Sequence, residues 1–214
     1  MRREALVLLV LAGVVVAGAW GIYELTTPEV REFRGILLDS PQRAPDFTLM
    51  DHLGNSVSIR DFRGRTVVLT FLYTYCPDYC PLITAKFVAI EKTYHESLGD
   101  DVVFIAITTD PQRDTPERIR EYSDAYGYEG YFLTGPSEEL ESVWEDYGVY
   151  VEYVELGESD ADSVNILGGV GEYGVNHTTK VLLIDKEGTV RVVHLGASWE
   201  TEDLVNDIII LRDG

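Results

Sequence analysis

The chain has 214 residues, which is enough for one domain of ordinary size with short appendages. It carries 37 acidic residues against 17 basic ones, and its formal net charge at pH 7 is −20. Such a surface repels nucleic acid and anionic lipid, so the composition excludes a nucleic-acid-binding function.

The first 23 residues have the pattern of a membrane segment. Met1-Arg2-Arg3-Glu4 is followed by an uncharged run from Ala5 to Tyr23, which as a helix would span about 28 Å, close to the hydrocarbon thickness of a bilayer. The arginines before the run and the acidic residues from Glu24 onward predict a single-pass anchor over residues 1–23, with the rest of the chain outside the cytoplasm. A cleaved signal peptide is the alternative, because Ala17-Gly18-Ala19 is similar to a cleavage site.

A linker of mixed charge is predicted over residues 24–43, and a folded domain over residues 44–214. The domain opens with two short segments, residues 47–50 and 56–59, which are joined through a Gly-Asn turn and predict a β-hairpin. Residues 66–73 are apolar and rich in β-branched side chains, which is typical of a buried central strand.

The rest of the domain alternates helical and strand patterns. In chain order the predicted elements are a helix through Ser97, a strand over 102–108, a helix begun by Thr115-Pro116, a strand over 131–133, a helix capped by Ser137, a strand over 150–156, a mobile loop over 157–174, a hairpin of 181–184 with 190–194, and a helix through Leu204–Leu211. This order predicts an α/β domain of the thioredoxin-like pattern, with an additional N-terminal β-hairpin and preceded by the transmembrane helix.

The only two cysteines lie just after the predicted central strand, in Cys76-Pro77-Asp78-Tyr79-Cys80. Residues four apart lie on one face of a helix, so the two thiols can bind one soft metal ion or form a disulfide. Unpaired amides and the positive end of the following helix favour thiolates and predict lowered thiol pKa values. A purely structural disulfide is disfavoured, because a bridge that closes so short a loop constrains the unfolded chain little.

His177 is the candidate third ligand. In a sheet of this order, the carboxyl ends of the parallel strands share one edge with the residues that precede the antiparallel strand over 181–184. Cys76 follows the first parallel strand, and His177 precedes the antiparallel one. Two thiolates and one imidazole suit copper, and Cu(I) in particular, whereas zinc normally takes a fourth ligand. The remaining histidines are predicted to be structural or surface residues: His52, His95 and His194.

Four segments carry a family resemblance: Ala44–Leu49, Tyr73–Pro81, Asp110–Pro116 and Val175–His177. Together they resemble the Sco/SenC family of thioredoxin-like proteins, which assist the assembly of cytochrome c oxidase. The resemblance covers roughly residues 44–212 and includes the membrane anchor. It implies that copper, as Cu(I) with Cu(II) as a further state, is held by Cys76, Cys80 and His177. Two positions depart from the family pattern. Tyr75 stands where relatives often have histidine, and Asn176 stands where many have an acidic residue.

The resemblance implies a copper chaperone more than an enzyme. The extracytoplasmic domain would receive copper, with another copper carrier or a thiol reductant as a further partner, and would load the copper site of cytochrome c oxidase subunit II. The alternative is a thiol–disulfide oxidoreductase that reduces partner cysteines before metal insertion, in which Cys76 attacks and Cys80 resolves. That activity does not require His177. A thiol peroxidase is disfavoured, because no cationic residue lies between the two cysteines.

Overall fold

The computed structural model describes residues 32–155 and 173–214, together with Gly13, Gly18 and Trp20. Within those residues, none of the helices combines the length and the hydrophobicity that a membrane crossing requires. The anchor predicted over residues 1–23 lies outside the described residues except for three isolated positions. Most of the loop predicted over 157–174 lies outside them as well.

A mixed β-sheet forms the centre of the described domain. Its strands are β1 (Ile36–Arg43), β2 (Thr48–Asp51), β3 (Ser56–Ser58), β4 (Thr66–Leu72), β5 (Val102–Thr108), β6 (Tyr131–Thr134), β9 (Lys180–Ile184) and β10 (Thr189–Leu195). They are arranged in the order β1-β10-β9-β4-β5-β6-β2-β3. A separate antiparallel pair is formed by β7 (Val151–Glu155) and β8 (Tyr173–His177).

Four helices pack on the described sheet: α1 (Tyr79–Leu98), α2 (Pro116–Tyr126), α3 (Ser137–Asp146) and α4 (Thr201–Asp213). Alternate residues of β4 divide the core into two layers, because successive strand side chains point to opposite faces. Val68 and Leu72 pack in the layer that contains α1, α2 and α4. Val67, Leu69 and Phe71 pack in the layer that contains α3 and the β2–β3 hairpin. The strand is buried on both faces, as its apolar sequence predicts.

The predicted pairing of the central strands is confirmed. β4 runs parallel to β5 and antiparallel to β9, and β2 pairs with β3 as the expected hairpin. The carboxyl ends of β4 and β5 therefore lie at one edge of the sheet. The loops that follow these two strands begin at Tyr73 and Thr109 and share that edge, where the amide of Thr109 donates to the carbonyl of Leu72 over 2.8 Å.

The folded unit begins at Phe33, earlier than the predicted domain start at Ala44. The second part of the predicted linker over 24–43 forms β1, which pairs antiparallel with β10. Almost every residue of β1 is exposed, because it is an edge strand. Its sequence therefore lacks the apolar alternation by which a strand is recognised.

Two boundaries also differ from the predictions. Thr115 caps α2 as predicted, and its hydroxyl accepts from the amide of Arg118. Ser137 is instead the first residue of α3, because the carbonyl of Pro136 already accepts two amide hydrogens of the helix. The end of the predicted loop over 157–174 belongs to β8, whose residues bond to β7.

A buried carboxylate anchors the start of the folded unit. Asp207 on α4 accepts from the amides of Arg34 and Gly35, each over 2.8 Å, and lies 2.9 Å from Nε2 of His194. Burial raises the pKa of Asp207, but these hydrogen bonds outweigh it and hold the pKa below its ordinary value. His194 is therefore a structural residue, as predicted from the sequence.

We expect Asp207→Asn to lower the free energy of unfolding by about 2 kcal/mol, because an amide oxygen cannot replace both carboxylate oxygens as acceptors. Urea unfolding of the variant and of Glu202→Gln, an exposed change on the same helix, measures the difference. Because the folded pKa is lowered, the stabilisation is present above about pH 4 and is lost as the pH falls further. An equal loss of unfolding free energy in Glu202→Gln would contradict the stabilising role of Asp207.

Candidate metal centre

The two cysteines lie where β4 passes into α1. The amide of Cys76 donates to the carbonyl of Tyr73 over 3.3 Å, which closes a turn directly after the strand. Helix α1 then begins at Tyr79 and holds Cys80 in its first turn. Both cysteines are free thiols, and their side chains are buried, with exposed fractions of 6% for Cys76 and 1% for Cys80.

His177 ends β8 and faces the cysteines. Its Nε2 lies 3.6 Å from Sγ of Cys80, and its Nδ1 lies 3.2 Å from the carbonyl oxygen of Thr178. A carbonyl only accepts hydrogen bonds, so this contact assigns the ring proton to Nδ1 and leaves the lone pair of Nε2 directed at the sulfur. Burial lowers the pKa of His177, which favours the neutral imidazole that metals require.

The two thiols have opposite pKa shifts. A hydrogen bond from the Cys80 thiol lowers the pKa of Cys76; burial opposes this, and the amides of Cys80 and Asp78 add to the lowering. Burial raises the pKa of Cys80 well above its ordinary value. The prediction of lowered pKa values is therefore correct for Cys76 and wrong for Cys80, because Cys80 lies beneath the turn. The pair consists of one thiolate, Cys76, and one thiol, Cys80, whose proton has two acceptors within reach, the sulfur of Cys76 and Nε2 of His177.

Tyr73 contacts both segments of the centre, the cysteine turn and strand β8. Its hydroxyl lowers the pKa of the Cys76 thiol, and the amide of Val175 on β8 acts on the same hydroxyl. Its ring meets the His177 ring edge to face, with centroids 5.8 Å apart. The role of Tyr73 could not be predicted from the sequence, since its position in the family motif does not reveal a partner about a hundred residues away.

A cavity of about 390 Å³ lies against the centre, with Cys76 and His177 among its lining residues. A second cavity, of about 440 Å³, is lined by Glu91, His95 and other residues, none of them a cysteine. Burial raises the pKa of Glu91 there to about 7. The chemistry of two thiols and an imidazole places the candidate site at the first cavity.

Asp114, in the loop after β5, binds the loop that carries the cysteines. Its carboxylate accepts the hydroxyl of Thr74 over 2.6 Å and the amide of Thr74 over 3.2 Å. It also accepts the hydroxyl of Thr108 over 2.6 Å. Burial raises the pKa of Asp114 to about 7, against the opposing effect of these hydrogen bonds. Thr74 lies two residues before Cys76, so Asp114 fixes the backbone of the turn.

Asp110, in the same loop, binds the strand that carries the histidine. Its carboxylate is fully buried, accepts the hydroxyl of Tyr173 on β8 over 2.7 Å, and is paired with the guanidinium of Arg113. The family-like segment from Asp110 to Pro116 therefore supports both sides of the centre.

The structure brings together the three residues predicted from the sequence: Cys76, Cys80 and His177. Within residues 32–155 and 173–214, no three histidine, cysteine or acidic side chains are already arranged as a ready metal site. The three candidate ligands are thus neighbours whose side chains would have to turn to share one ion. The other three histidines lie elsewhere in the fold: His52 in the β2–β3 turn, His95 in α1 and His194 in β10.

Comparison with known proteins identifies the family. The SCO1/SenC family model matches residues 38–210. The Schizosaccharomyces pombe protein sco1 is 33% identical over 168 residues, which cover 78% of this chain and 60% of that protein. A SCO2-like protein of Rickettsia typhi is 29% identical over 178 residues, which cover 82% of each chain. The chain spans only 45% of the Arabidopsis thaliana mitochondrial SCO1 homolog 1.

Solved structures show the same fold. Arabidopsis thaliana ScoI with copper bound superposes with a TM-score of 0.66 at 28% identity, over 79% of this chain and 99% of that one. The apo Sco1 protein of Thermus thermophilus gives a TM-score of 0.68 at 26% identity, over 86% of this chain and 99% of that one. The expected resemblance is confirmed: this chain belongs to the SCO1/SenC family of mixed α/β, thioredoxin-like proteins.

Proposed function

We propose that this chain is a copper-binding protein of cytochrome c oxidase assembly, and that Cys76, Cys80 and His177 are its copper ligands. The observation that carries the proposal is the 3.6 Å approach of His177 Nε2 to Cys80 Sγ, with Nδ1 occupied by the Thr178 carbonyl. This contact gives the imidazole the tautomer in which Nε2 can bind a metal. Structures of Sco proteins with copper bound support copper as the metal.

The donor set suits Cu(I), with Cu(II) as a further state. Two sulfurs and one imidazole nitrogen form a soft site of low coordination, whereas zinc would prefer four ligands. The thiolate of Cys76 is available first, and Cys80 would release its proton as the metal binds, so copper affinity should rise with pH. Cys76 and His177 line the cavity, which gives copper a side from which to enter and leave the proposed site.

The proposed setting is the extracytoplasmic side of a membrane. The apolar run from Ala5 to Tyr23 supports a single-pass anchor over residues 1–23. The proposed recipient of copper is cytochrome c oxidase subunit II, and the proposed source is another copper carrier. The family membership of the chain supports an oxidase partner.

The second candidate function is thiol–disulfide exchange, and the unequal pair of thiols favours it. The thiolate of Cys76 would attack a disulfide of the partner and release one partner thiolate. Cys80 would then lose its proton and attack Cys76 of the mixed disulfide, which frees the second partner thiol. The chain would end as a Cys76–Cys80 disulfide, and a thiol reductant would have to return it to the reduced state.

His177→Ala should weaken Cu(I) binding by at least about a hundredfold, since even residues that only orient a metal ligand contribute 10–100-fold. The measurement is an anaerobic competition titration of the reduced protein against a Cu(I) chelator. His95→Ala, an exposed change on α1, is the matched control and should bind copper like the wild type. Equal affinities for the wild type and His177→Ala would remove His177 from the ligand set.

The single-cysteine variants should differ in reactivity. In Cys80→Ser the serine hydroxyl can still donate to Cys76, so alkylation should stay fast near neutral pH. In Cys76→Ser the remaining thiol is buried and its pKa is raised, so alkylation at pH 7 should be at least about tenfold slower. The rate of iodoacetamide modification as a function of pH tests this. Identical pH profiles for the two variants would show that the thiols are equivalent.

A further inference from the structure

Two arginines of the loop and helix after β5 stack on tyrosines beside the metal centre. The guanidinium carbon of Arg113 lies 3.8 Å from the ring centroid of Tyr173 and 4.8 Å from that of Tyr75. The guanidinium carbon of Arg118 lies 4.3 Å from the Tyr75 centroid. We call these four residues, Tyr75, Arg113, Arg118 and Tyr173, the arginine–tyrosine ladder.

Polar contacts fix both arginines in these positions. Nη1 of Arg113 donates to the carbonyl of Tyr173 over 2.8 Å, and its Nε pairs with Asp110. Nε of Arg118 donates to the hydroxyl of Thr74 over 3.0 Å. The Nη2 atoms of both arginines are buried without a hydrogen-bond partner in the described part of the chain. These edges of the guanidinium groups are therefore shielded from water, and little water competes with the attraction to the neighbouring rings.

The ladder joins the two segments that carry the candidate ligands. Tyr75 directly precedes Cys76, and Tyr173 lies four residues before His177 on β8. Strand β8 is hydrogen-bonded to β7, and in the described structure its backbone does not pair with any strand of the central sheet. Beyond its short connection to β9, the position of β8 relative to the cysteines therefore depends on side-chain contacts, and Arg113 contacts both sides at once.

We propose that Arg113 is a positioning residue of the metal centre, which holds the His177 strand against the cysteine turn by stacking between Tyr75 and Tyr173. The planar guanidinium is essential to this role, because a lysine ammonium keeps the charge but cannot stack or donate in a fork. That Arg113 positions a metal ligand rests on the proposed copper function. The contacts of Arg113 with Tyr75 and Tyr173 are already present in the metal-free protein.

Two substitutions separate stacking from charge. Arg113→Lys keeps a cation beside the buried Asp110, so the domain should still fold. Tyr75→Leu removes the ring and leaves the Arg113–Asp110 pair intact. Tyr75→Phe keeps the ring and should restore most of the wild-type behaviour. Arg120→Lys, an exposed change on α2, is the matched control.

The first readout is amide hydrogen exchange in the metal-free protein. Exchange of the β8 amides should speed up roughly tenfold in Arg113→Lys and Tyr75→Leu, because β8 opens locally, while exchange in β4 stays unchanged. Tyr75→Phe and Arg120→Lys should resemble the wild type. Unchanged β8 exchange in Arg113→Lys and Tyr75→Leu would overturn the inference. Equally fast exchange in Tyr75→Phe would also overturn it, because the phenyl ring preserves the stack.

The second readout is Cu(I) affinity, which should fall roughly tenfold in Arg113→Lys and Tyr75→Leu, the lower end of the effect of residues that orient ligands. A wild type that binds no Cu(I) would contradict the proposed function, while the exchange data would still decide the role of Arg113. A wild type that binds Cu(I), with equal affinity in both variants, would contradict the positioning role alone.

Discussion

The candidate metal centre depends on two buried carboxylates in one short loop. Asp114 binds the backbone and hydroxyl of Thr74 in the cysteine turn, and Asp110 binds Tyr173 on the histidine strand. Both aspartates are fully buried, and an unpaired carboxylate at such a depth would be very costly. The polar partners of each aspartate are therefore obligatory, and with them the separation of the two segments that carry the candidate ligands is fixed.

The two cysteines that this loop supports have thiols of unequal pKa. Burial keeps Cys80 protonated, and its thiol stabilises the thiolate of Cys76. The same arrangement suits nucleophilic exchange and metal capture, since both begin with one thiolate and require a second deprotonation. What distinguishes the two chemistries is the requirement for His177: a three-ligand copper site needs its imidazole as a ligand, whereas disulfide exchange requires only the two thiols. The position of His177 therefore favours copper.

Sequence reasoning could identify the three candidate ligands, because a simple rule of strand order brings Cys76 and His177 to one edge of the sheet. It could not identify Tyr73 or the roles of Asp110 and Asp114, since their partners are distant along the chain: 40 residues separate Thr74 from Asp114, and 63 separate Asp110 from Tyr173. Strand β1 was missed for a different reason. An exposed edge strand has no buried face, so no apolar period marks it.

The tyrosine at position 75, next to Cys76, has a physical consequence in this chain. The position next to Cys76 holds a ring that stacks on Arg113 and Arg118, so it offers no second imidazole. A Cu(I) ion bound by two thiolates and neutral His177 would carry a net negative charge, in a protein whose formal net charge is −20. Beside Tyr75 lie the guanidinium of Arg118 and that of Arg113, which is paired with Asp110. If Cys76, Cys80 and His177 hold copper as proposed, Tyr75 thus keeps one ion pair and one further cation, Arg118, beside the cysteine turn.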